Sequence, residues 1–183
     1  IPGIEDVPQL TNLNLFKQEE IPERLTIIGG GAIGSEMAQA FARLGSEITI
    51  IHVDDHLIPA GDQEAAQVLE DKFVAEGIQI YNNTGISKVE EKDGTIYTHT
   101  EEETIASDKI LVAAGRQPNV DSLNLEAAGV KYDQQGINVD QKMQTNIKGI
   151  YAVGDCNGQA LFSHAAMHQG MIALMNALNP LPL

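Results

Sequence analysis

The sequence predicts an α/β fold in which helices cover a parallel sheet and three further strands form an antiparallel meander. Two observations support this prediction. Short runs rich in isoleucine, leucine and valine, typical of strands buried on both faces, alternate with segments of helical periodicity. The dipeptide Asp93-Gly94 separates two strand-like segments and suits a tight hairpin turn.

The main motif of the chain is a strand, a glycine turn and a helix. Residues 25–28 form an apolar run, and Gly29, Gly31 and Gly34 follow with the spacing G-x-G-x-x-G. The first glycine allows a tight turn, the second lets the backbone approach a pyrophosphate, and the third lets the helix pack on the strand. The pattern predicts a Rossmann-like, dinucleotide-binding βαβ unit, and a glycine turn without a ligand is the alternative. The helix has its apolar positions at Ile33, Met37, Phe41 and Leu44, and the second strand covers residues 48–51.

Further elements complete this domain up to Gly115. A second helix is predicted over residues 62–76, where Gly77 ends it. Residues 1–23 have little periodicity and are typical of an extended connector. The apolar positions of the second helix are Ala65, Leu69 and Phe73, with Ala66 and Val68 nearby; the other predicted strands are residues 78–81, the meander strands 86–91, 95–100 and 104–106, and a return to the parallel sheet at 110–114.

The chain changes character after Gly115. Residues 116–120 contain a proline and predict a loop, and residues 136–140 are a candidate short strand. Residues 150–153 predict a buried strand. Ser163 is suited to cap a last helix. The predicted apolar face of that helix is Met167, Gly170, Met171, Leu174 and Leu178, and Pro180 and Pro182 stop it.

Composition limits the possible partners. The chain has 183 residues, of which 43% are hydrophobic, and a formal net charge of −15 with no basic run. The charge argues against nucleic acid and against anionic membrane surfaces. No apolar stretch approaches the length of a membrane span, and no secretory signal or metal-binding pattern is recognised. The single cysteine, Cys156, excludes an internal disulfide and favours a reducing, cytoplasmic setting.

Four motifs follow one another over nearly the whole chain. They are IGGGAIGSE around the glycine turn, ILVAAGRQPN at residues 110–119, Thr145 followed by IYAVGD at residues 150–155, and FSHAA at residues 162–166. Together they resemble the pyridine nucleotide–disulfide oxidoreductases, the family that includes dihydrolipoamide dehydrogenase, glutathione reductase and mercuric reductase. The resemblance implies a connector from an FAD domain at residues 1–21, an NAD(P)-binding domain at 22–116, and the returning, incomplete part of the FAD-binding domain at 117–183.

The resemblance also implies that the chain, which begins with Ile1, is an internal fragment. Members of the family have a redox cysteine pair before this region and a catalytic His–Glu pair after it, so no catalytic residue is expected within the chain. The parent is expected to be a homodimer. We expect residues 117–183 to be poorly ordered, to pack on another copy of the chain, or to fold back on the nucleotide domain, because their partner strands are missing.

On the nicotinamide side, the resemblance implies that Glu36 faces the flavin and the nicotinamide. A first-turn carboxylate that only favours the helix dipole is the alternative. Ile86 matches the position that borders adenine, and Gly115 matches the glycine that passes near the nicotinamide; a core residue and a strand-ending glycine are the alternatives. The residues expected to surround the pyrophosphate are Gly29, Gly30, Gly31, Ala32, Ile33 and Gly34.

His52 occupies the position where NAD-preferring relatives have an acidic residue for the ribose hydroxyls. NADP-preferring relatives carry arginines just after this point, whereas this chain has Asp54 and Asp55, which would repel a 2′-phosphate. NAD is therefore preferred over NADP. His52 and His56 are either loop histidines without a ligand or donors to a ribose or phosphate oxygen.

On the flavin side, Asp155 matches the aspartate that binds the ribityl chain of FAD. Leu161, Phe162, Ser163 and His164 match the segment that borders the isoalloxazine ring. The helix dipole there would favour negative charge on the reduced flavin. Cys156 is expected to be a small core residue.

The resulting hypothesis is part of a flavoprotein that passes hydride from NAD(P)H to FAD and on to a disulfide or similar acceptor. The fragment itself is expected to bind the dinucleotide weakly without turnover. Two alternatives remain: a non-catalytic dinucleotide-binding module, and a related NADH oxidase or ferredoxin-type reductase. A C-x₄-C pair upstream would favour the disulfide reductase.

Overall fold

The computed structural model describes residues 1–178, and the chain divides into two compact units, Ile1–Gly115 and Arg116–Leu183. Pro180 and Pro182, predicted to stop the last helix, lie outside the described residues. No described helix is long and apolar enough to cross a membrane.

The first unit contains eight strands and two α-helices within the described part of the chain. In chain order they are β1 (Gln9–Leu10), β2 (Arg24–Ile28), α1 (Ala32–Arg43), β3 (Glu47–Ile51), α2 (Gln63–Ala75), β4 (Gln79–Tyr81), β5 (Lys88–Lys92), β6 (Thr95–His99), β7 (Thr104–Ser107) and β8 (Lys109–Val112). A parallel sheet has the order β1-β8-β2-β3-β4, and β5, β6 and β7 form an antiparallel sheet. The predicted fold class is confirmed.

Successive residues of β2 point to opposite faces of the parallel sheet, and four of its five residues are buried, so both faces are covered. Leu25 and Ile27 pack with Phe41 of α1 and Phe73 of α2 in one apolar cluster. Ile28 belongs to a second cluster, which also contains the meander residues Val89 and Ile96. The unit therefore has three layers: helices, parallel sheet and meander.

The two helices bury narrower faces than their sequences predict. In α1, Ala38 and Phe41 are buried, whereas Leu44 at the carboxyl end is 62% exposed. Ile33, also on the predicted apolar stripe, is 39% exposed. In α2, Phe73 is buried but Val68 is 71% exposed. Ile33 and Leu44 lie at the two ends of α1. Val68 lies in the middle of α2, but two positions from the buried Ala66 it points to the opposite side of the helix.

The predicted extended connector is partly wrong. Residues Ile4–Asp6 and Leu15–Lys17 form short 3₁₀ helices, and β1 lies between them as an edge strand parallel to β8. Leu10 and Leu15 are buried in the helix-side core, which explains why this segment folds against the sheet.

The second unit has little regular structure in its described part. It contains β9 (Tyr132–Asp133), which pairs antiparallel with β10 (Gly136–Ile137), and α3 (Ser163–Leu178). Asp121–Leu123 and Asp155–Asn157 form short 3₁₀ helices. A small core is formed by Val120, Leu125, Val130, Ile137 and Ala152.

The strand predicted at residues 150–153 is not formed. Tyr151 makes only an isolated bridge to Gln144. Gly149 and Gly154, which flank the segment, both have positive φ angles, so the extended run is interrupted on each side. An apolar run of four residues predicts a strand only where neighbouring strands can complete its hydrogen bonds.

The predicted apolar face of α3 is mostly exposed within this unit. Gln169 and Ala173 are the buried positions of the helix. Four of the five predicted apolar-face residues are exposed, namely Met167, Met171, Leu174 and Leu178, and Met175 is exposed as well.

Candidate functional site

The glycine turn lies at the carboxyl edge of the parallel sheet. Gly29 follows β2, donates its N–H to the Ile51 carbonyl at 2.9 Å, and has a φ angle of 106°. A Cβ atom here would lie 2.6 Å from the Ala113 carbonyl oxygen. Only glycine fits this conformation and this close approach to the neighbouring strand end.

The other two glycines have opposite environments. A Cβ at Gly34 would lie 1.9 Å from the Gly29 carbonyl oxygen, so α1 crosses the turn in close contact. A Cβ at Gly31 would meet nothing within 4 Å, and the φ angle of Gly31 is −71°. The absence of a side chain at Gly31 therefore leaves open space in front of the backbone, which is what the approach of a pyrophosphate requires.

The amino terminus of α1 is not capped by a side chain in the described structure. By contrast, the Asp62 carboxylate caps α2 by accepting hydrogen bonds from the N–H groups of Glu64 and Ala65 at 2.9 and 3.2 Å. The first N–H groups of α1, at Ala32 and Ile33, have no partner within the helix. They carry the positive end of the helix dipole and suit an anion.

His52 packs against the turn rather than standing in a loop. Its ring is 7% exposed, and its Nδ1 accepts a hydrogen bond from the Gly30 N–H at 3.0 Å. A Cβ at Gly30 would collide with the His52 ring and with Leu57. Because Nδ1 is an acceptor, the ring is neutral in this arrangement and carries its proton on Nε2. Nε2 lies 3.3 Å from Asp54 Oδ2, without hydrogen-bond geometry, and is a buried polar atom without a hydrogen-bond partner in the described structure.

The remaining nicotinamide-side candidates are placed differently. Gly115 follows β8 with a φ angle of 135° and is exposed, and Glu36 is exposed on α1. His56 faces the Leu57 carbonyl through Nδ1 at 2.9 Å. Ile86 is partly buried against the meander-side cluster, in agreement with the core position given as its alternative.

A cleft of about 470 Å³ lies at the other end of the sheet. Its lining includes Arg24, Glu47 and Gln79, which begin β2, β3 and β4, and Glu103 just before β7. Ligands of open α/β sheets bind at the carboxyl ends of the strands. We therefore place the candidate site at the glycine turn and not in this cleft.

In the second unit, Asp155 is bound by an arginine that the sequence interpretation did not single out. Arg116 Nη1 lies 3.0 Å from Asp155 Oδ2 and donates to the Leu161 carbonyl oxygen at 2.6 Å. The Asp155 side chain remains 51% exposed. The available signal was the position of Arg116 inside the ILVAAGRQPN motif of a strongly acidic chain.

Gln169 was also missed. It is buried on α3, and its Oε1 accepts hydrogen bonds from the Gly154 N–H at 2.7 Å and from Asn157 Nδ2 at 3.0 Å. It therefore fixes the turn that carries Asp155. Cys156 is partly buried beside the small core, and its thiol lies 3.2 Å from the Val153 carbonyl oxygen.

The aromatic pair at the start of α3 is exposed. The rings of Phe162 and His164 stack with centroids 5.4 Å apart and an interplanar angle of 22°. Ser163 is the first residue of the helix rather than the residue before it. Among the residues that the structure describes, no group of three His, Cys, Asp or Glu side chains could hold a metal ion.

The glycine turn, the uncapped helix and the parallel sheet define a dinucleotide-binding type of α/β protein. The chain belongs to the pyridine nucleotide-disulphide oxidoreductase family, whose model matches residues 1–170. The predicted resemblance is thereby confirmed.

Several proteins are similar to this chain in sequence or in structure. Dihydrolipoyl dehydrogenase of Chlamydia pneumoniae is 41% identical over 91% of this chain and 36% of its own length. Mercuric reductase of Acidithiobacillus ferrooxidans is 42% identical over 97% of this chain and 32% of its own length. The HOCl-induced flavoprotein disulfide reductase RclA of Escherichia coli is similar in structure, with a TM-score of 0.92 and 30% identity over the whole chain and 42% of that protein. The chain thus spans about a third to two fifths of these proteins.

Proposed function

We propose that residues 22–116 bind a nicotinamide dinucleotide, with its pyrophosphate at the turn from Gly29 to Gly34. The observation that supports this proposal most directly is the open space in front of Gly31, next to an uncapped helix terminus. A diphosphate there would accept hydrogen bonds from backbone N–H groups and interact with the helix dipole. The proposed contact residues are Gly29, Gly30, Gly31, Ala32, Ile33, Gly34, Glu36, His52, Ile86 and Gly115.

We further propose that residues 117–183 contribute to an FAD site. The solvent-accessible carboxylate of Asp155 would accept a hydrogen bond from a ribityl hydroxyl. Arg116 donates a hydrogen bond to Oδ2 of the same carboxylate and so orients it. The Asp155 carboxylate fits this group, because a chain rich in hydroxyl donors needs an acceptor that is accessible and fixed. Leu161, Phe162, Ser163 and His164 would border the ring system at the exposed start of α3. When bound, the flavin would supply the electron-transfer chemistry.

In the whole protein, the proposed activity is transfer of hydride from NAD(P)H to FAD, followed by reduction of a disulfide or a similar acceptor. The names of the relatives, dihydrolipoyl dehydrogenase and mercuric reductase, support an oxidoreductase of this kind. The role of this chain is to bind and orient the cofactors. We propose NAD as the preferred dinucleotide, because Asp54 and Asp55 are exposed carboxylates at the end of β3.

The binding proposal is tested by calorimetric titration of the 183-residue chain with NADH and with NADPH. We expect weak binding, in the range of tens of micromolar to millimolar, with NADH the tighter ligand. We expect no NADH-dependent reduction of a disulfide by the chain alone. Absence of both heat and a change in nicotinamide fluorescence at millimolar ligand would contradict the proposal.

We also propose that the chain self-associates through the exposed apolar residues of α3, and that its parent is a homodimer in a reducing, cytoplasmic setting. Apolar patches of this kind favour association in water. Sedimentation velocity tests self-association, with Met171→Lys as the disrupting variant and the nearby Asn176→Lys as the control for added charge. A monomer at all concentrations would contradict it.

A further inference from the structure

We propose that Asp54, whose carboxylate lies beside His52, recognises the adenosine ribose of the dinucleotide and selects NAD over NADP. This inference rests on the proposed function and names the residue that makes its choice of cofactor. In folds of this type a carboxylate at the end of the second strand normally accepts hydrogen bonds from the ribose hydroxyls. Position 52 has a histidine instead, so another acceptor is required.

His52 does not supply that acceptor. Its Nδ1 is already engaged by the Gly30 N–H at 3.0 Å, which leaves only the proton on Nε2 for a ligand. The ring is 7% exposed, and Nε2 has no hydrogen-bond partner in the described structure. A buried N–H donor without a partner is costly, and a ligand oxygen would satisfy it.

Asp54 supplies the missing acceptor beside this donor. Its Oδ2 lies 3.3 Å from His52 Nε2, and its side chain is 50% exposed. The backbone around it is fixed by the loop after β4, because Asp54 O accepts from the Asn83 N–H and His52 O from the Thr84 N–H, both at 2.9 Å. These bonds fix the backbone at Asp54. Its carboxylate lies near Nε2 of the imidazole, whereas Nδ1 faces the glycine turn.

The Asp54 carboxylate and the His52 Nε2–H offer one hydrogen-bond acceptor and one donor, which suits the two adjacent hydroxyls of a ribose. One ribose hydroxyl would donate to the Asp54 carboxylate, while an oxygen of the diol would accept from His52 Nε2–H. A 2′-phosphate at the same place would meet a carboxylate, and the sequence offers no Lys or Arg between Arg43 and Lys72 to offset the repulsion. The geometry thus favours a free 2′-hydroxyl.

The test compares Asp54→Asn with Asp55→Asn in the 183-residue chain. Asp55 is the matched control because it is adjacent, 68% exposed, and directed to His56 rather than to His52. We expect D54N to weaken NADH binding by tenfold or more and to leave NADPH binding unchanged or tighter. D55N should keep the dissociation constant of NADH within about twofold, because the Asp55 carboxylate faces His56 and not the proposed ribose contact. Loss of its repulsion should tighten NADPH binding no more than D54N does.

Further measurements separate recognition from a structural effect. An NADH analogue that lacks the adenosine 2′-hydroxyl should bind the wild type about as weakly as NADH binds D54N. Introducing a carboxylate at position 52 instead, in His52→Glu combined with D54N, should recover NADH affinity. The inference would be overturned if D54N lost NADH and NADPH affinity equally. It would also be overturned if D54N bound NADH as tightly as D55N does. If the wild type binds neither dinucleotide, the proposed function itself fails.

Discussion

Substitution by alanine should affect the free energy of unfolding very differently at Gly31 and at Gly34, the two glycines on either side of the start of α1. Gly31→Ala places a Cβ where nothing lies within 4 Å, at an ordinary φ angle of −71°. Alanine reduces the conformational freedom of the unfolded chain, which stabilises the folded state by about 0.4–1 kcal/mol. Alanine is also less favourable than glycine at the position before a helix, and this costs a similar amount. The free energy of unfolding should therefore change by less than about 1 kcal/mol.

Gly34→Ala should instead destabilise the fold. The added Cβ would lie 1.9 Å from the Gly29 carbonyl oxygen, whereas real Cβ contacts stay above 3.0 Å, so α1 must move by about 1 Å. Crowding of a packed site costs about 1–3 kcal/mol, and the backbone contact places this variant at the upper end. Its dinucleotide affinity should fall together with its stability.

Urea denaturation followed by circular dichroism gives the stabilities, and calorimetry with NADH gives the affinities. We expect Gly31→Ala to be as stable as the wild type and to bind NADH at least tenfold more weakly, about 1.4 kcal/mol, because its Cβ occupies the space proposed for the pyrophosphate. Unchanged NADH affinity in a stable Gly31→Ala protein would refute the assignment of that space. Unchanged stability in Gly34→Ala would refute the packing argument.

Three other substitutions test the fold. Asp62→Ala removes the cap of α2 and should lower the free energy of unfolding by about 1 kcal/mol in urea, with Asp71→Ala on the exposed face of α2 as the control. Gln169→Leu leaves the Gly154 N–H without its buried acceptor and should destabilise the second unit by about 2 kcal/mol, measured by loss of amide protection around residue 154. Hydrogen bonds from Arg43 and Lys72 lower the pKa of Glu76 from 4.5 to about 2, so its stabilising effect is full above pH 4.5 and lost as the pH falls towards 2. Glu76→Gln should therefore be less stable than the wild type at pH 7, and the difference should shrink in urea titrations near pH 2.5; a constant difference would contradict the ion pair's role.

Local patterns were sufficient for the first unit because its strands are continuous apolar runs between strong turn signals. Residues 25–28 and 48–51 correspond to β2 and β3, and Asp93-Gly94 lies in the turn between β5 and β6. The same reasoning failed for residues 150–153, because an apolar run becomes a strand only if neighbouring backbone completes its hydrogen bonds. That condition depends on parts of the fold distant in sequence.

The candidate site shows the same limit. Spacing predicted the tight turn at Gly29 and the close packing of α1 at Gly34, because both follow from the local turn. The pyrophosphate contact at Gly31 stays a prediction. The bond from the Gly30 N–H to His52 Nδ1 joins residues 22 positions apart, and the contact of Arg116 with Asp155 spans 39 positions. No periodicity signals such contacts, so the role of His52 beside the turn emerged only from the structure.

The short outer strands of the parallel sheet have a consequence for trimming the chain. β1 is two residues long, and it shields Ile110 and Leu111 of β8 from lateral pairing with other molecules. A chain that started after Leu10 would leave the backbone of β8 as an open, apolar border, the type of surface on which aggregates grow. We therefore expect a chain without the first ten residues to aggregate more readily, although β1 forms only two residue pairs with β8.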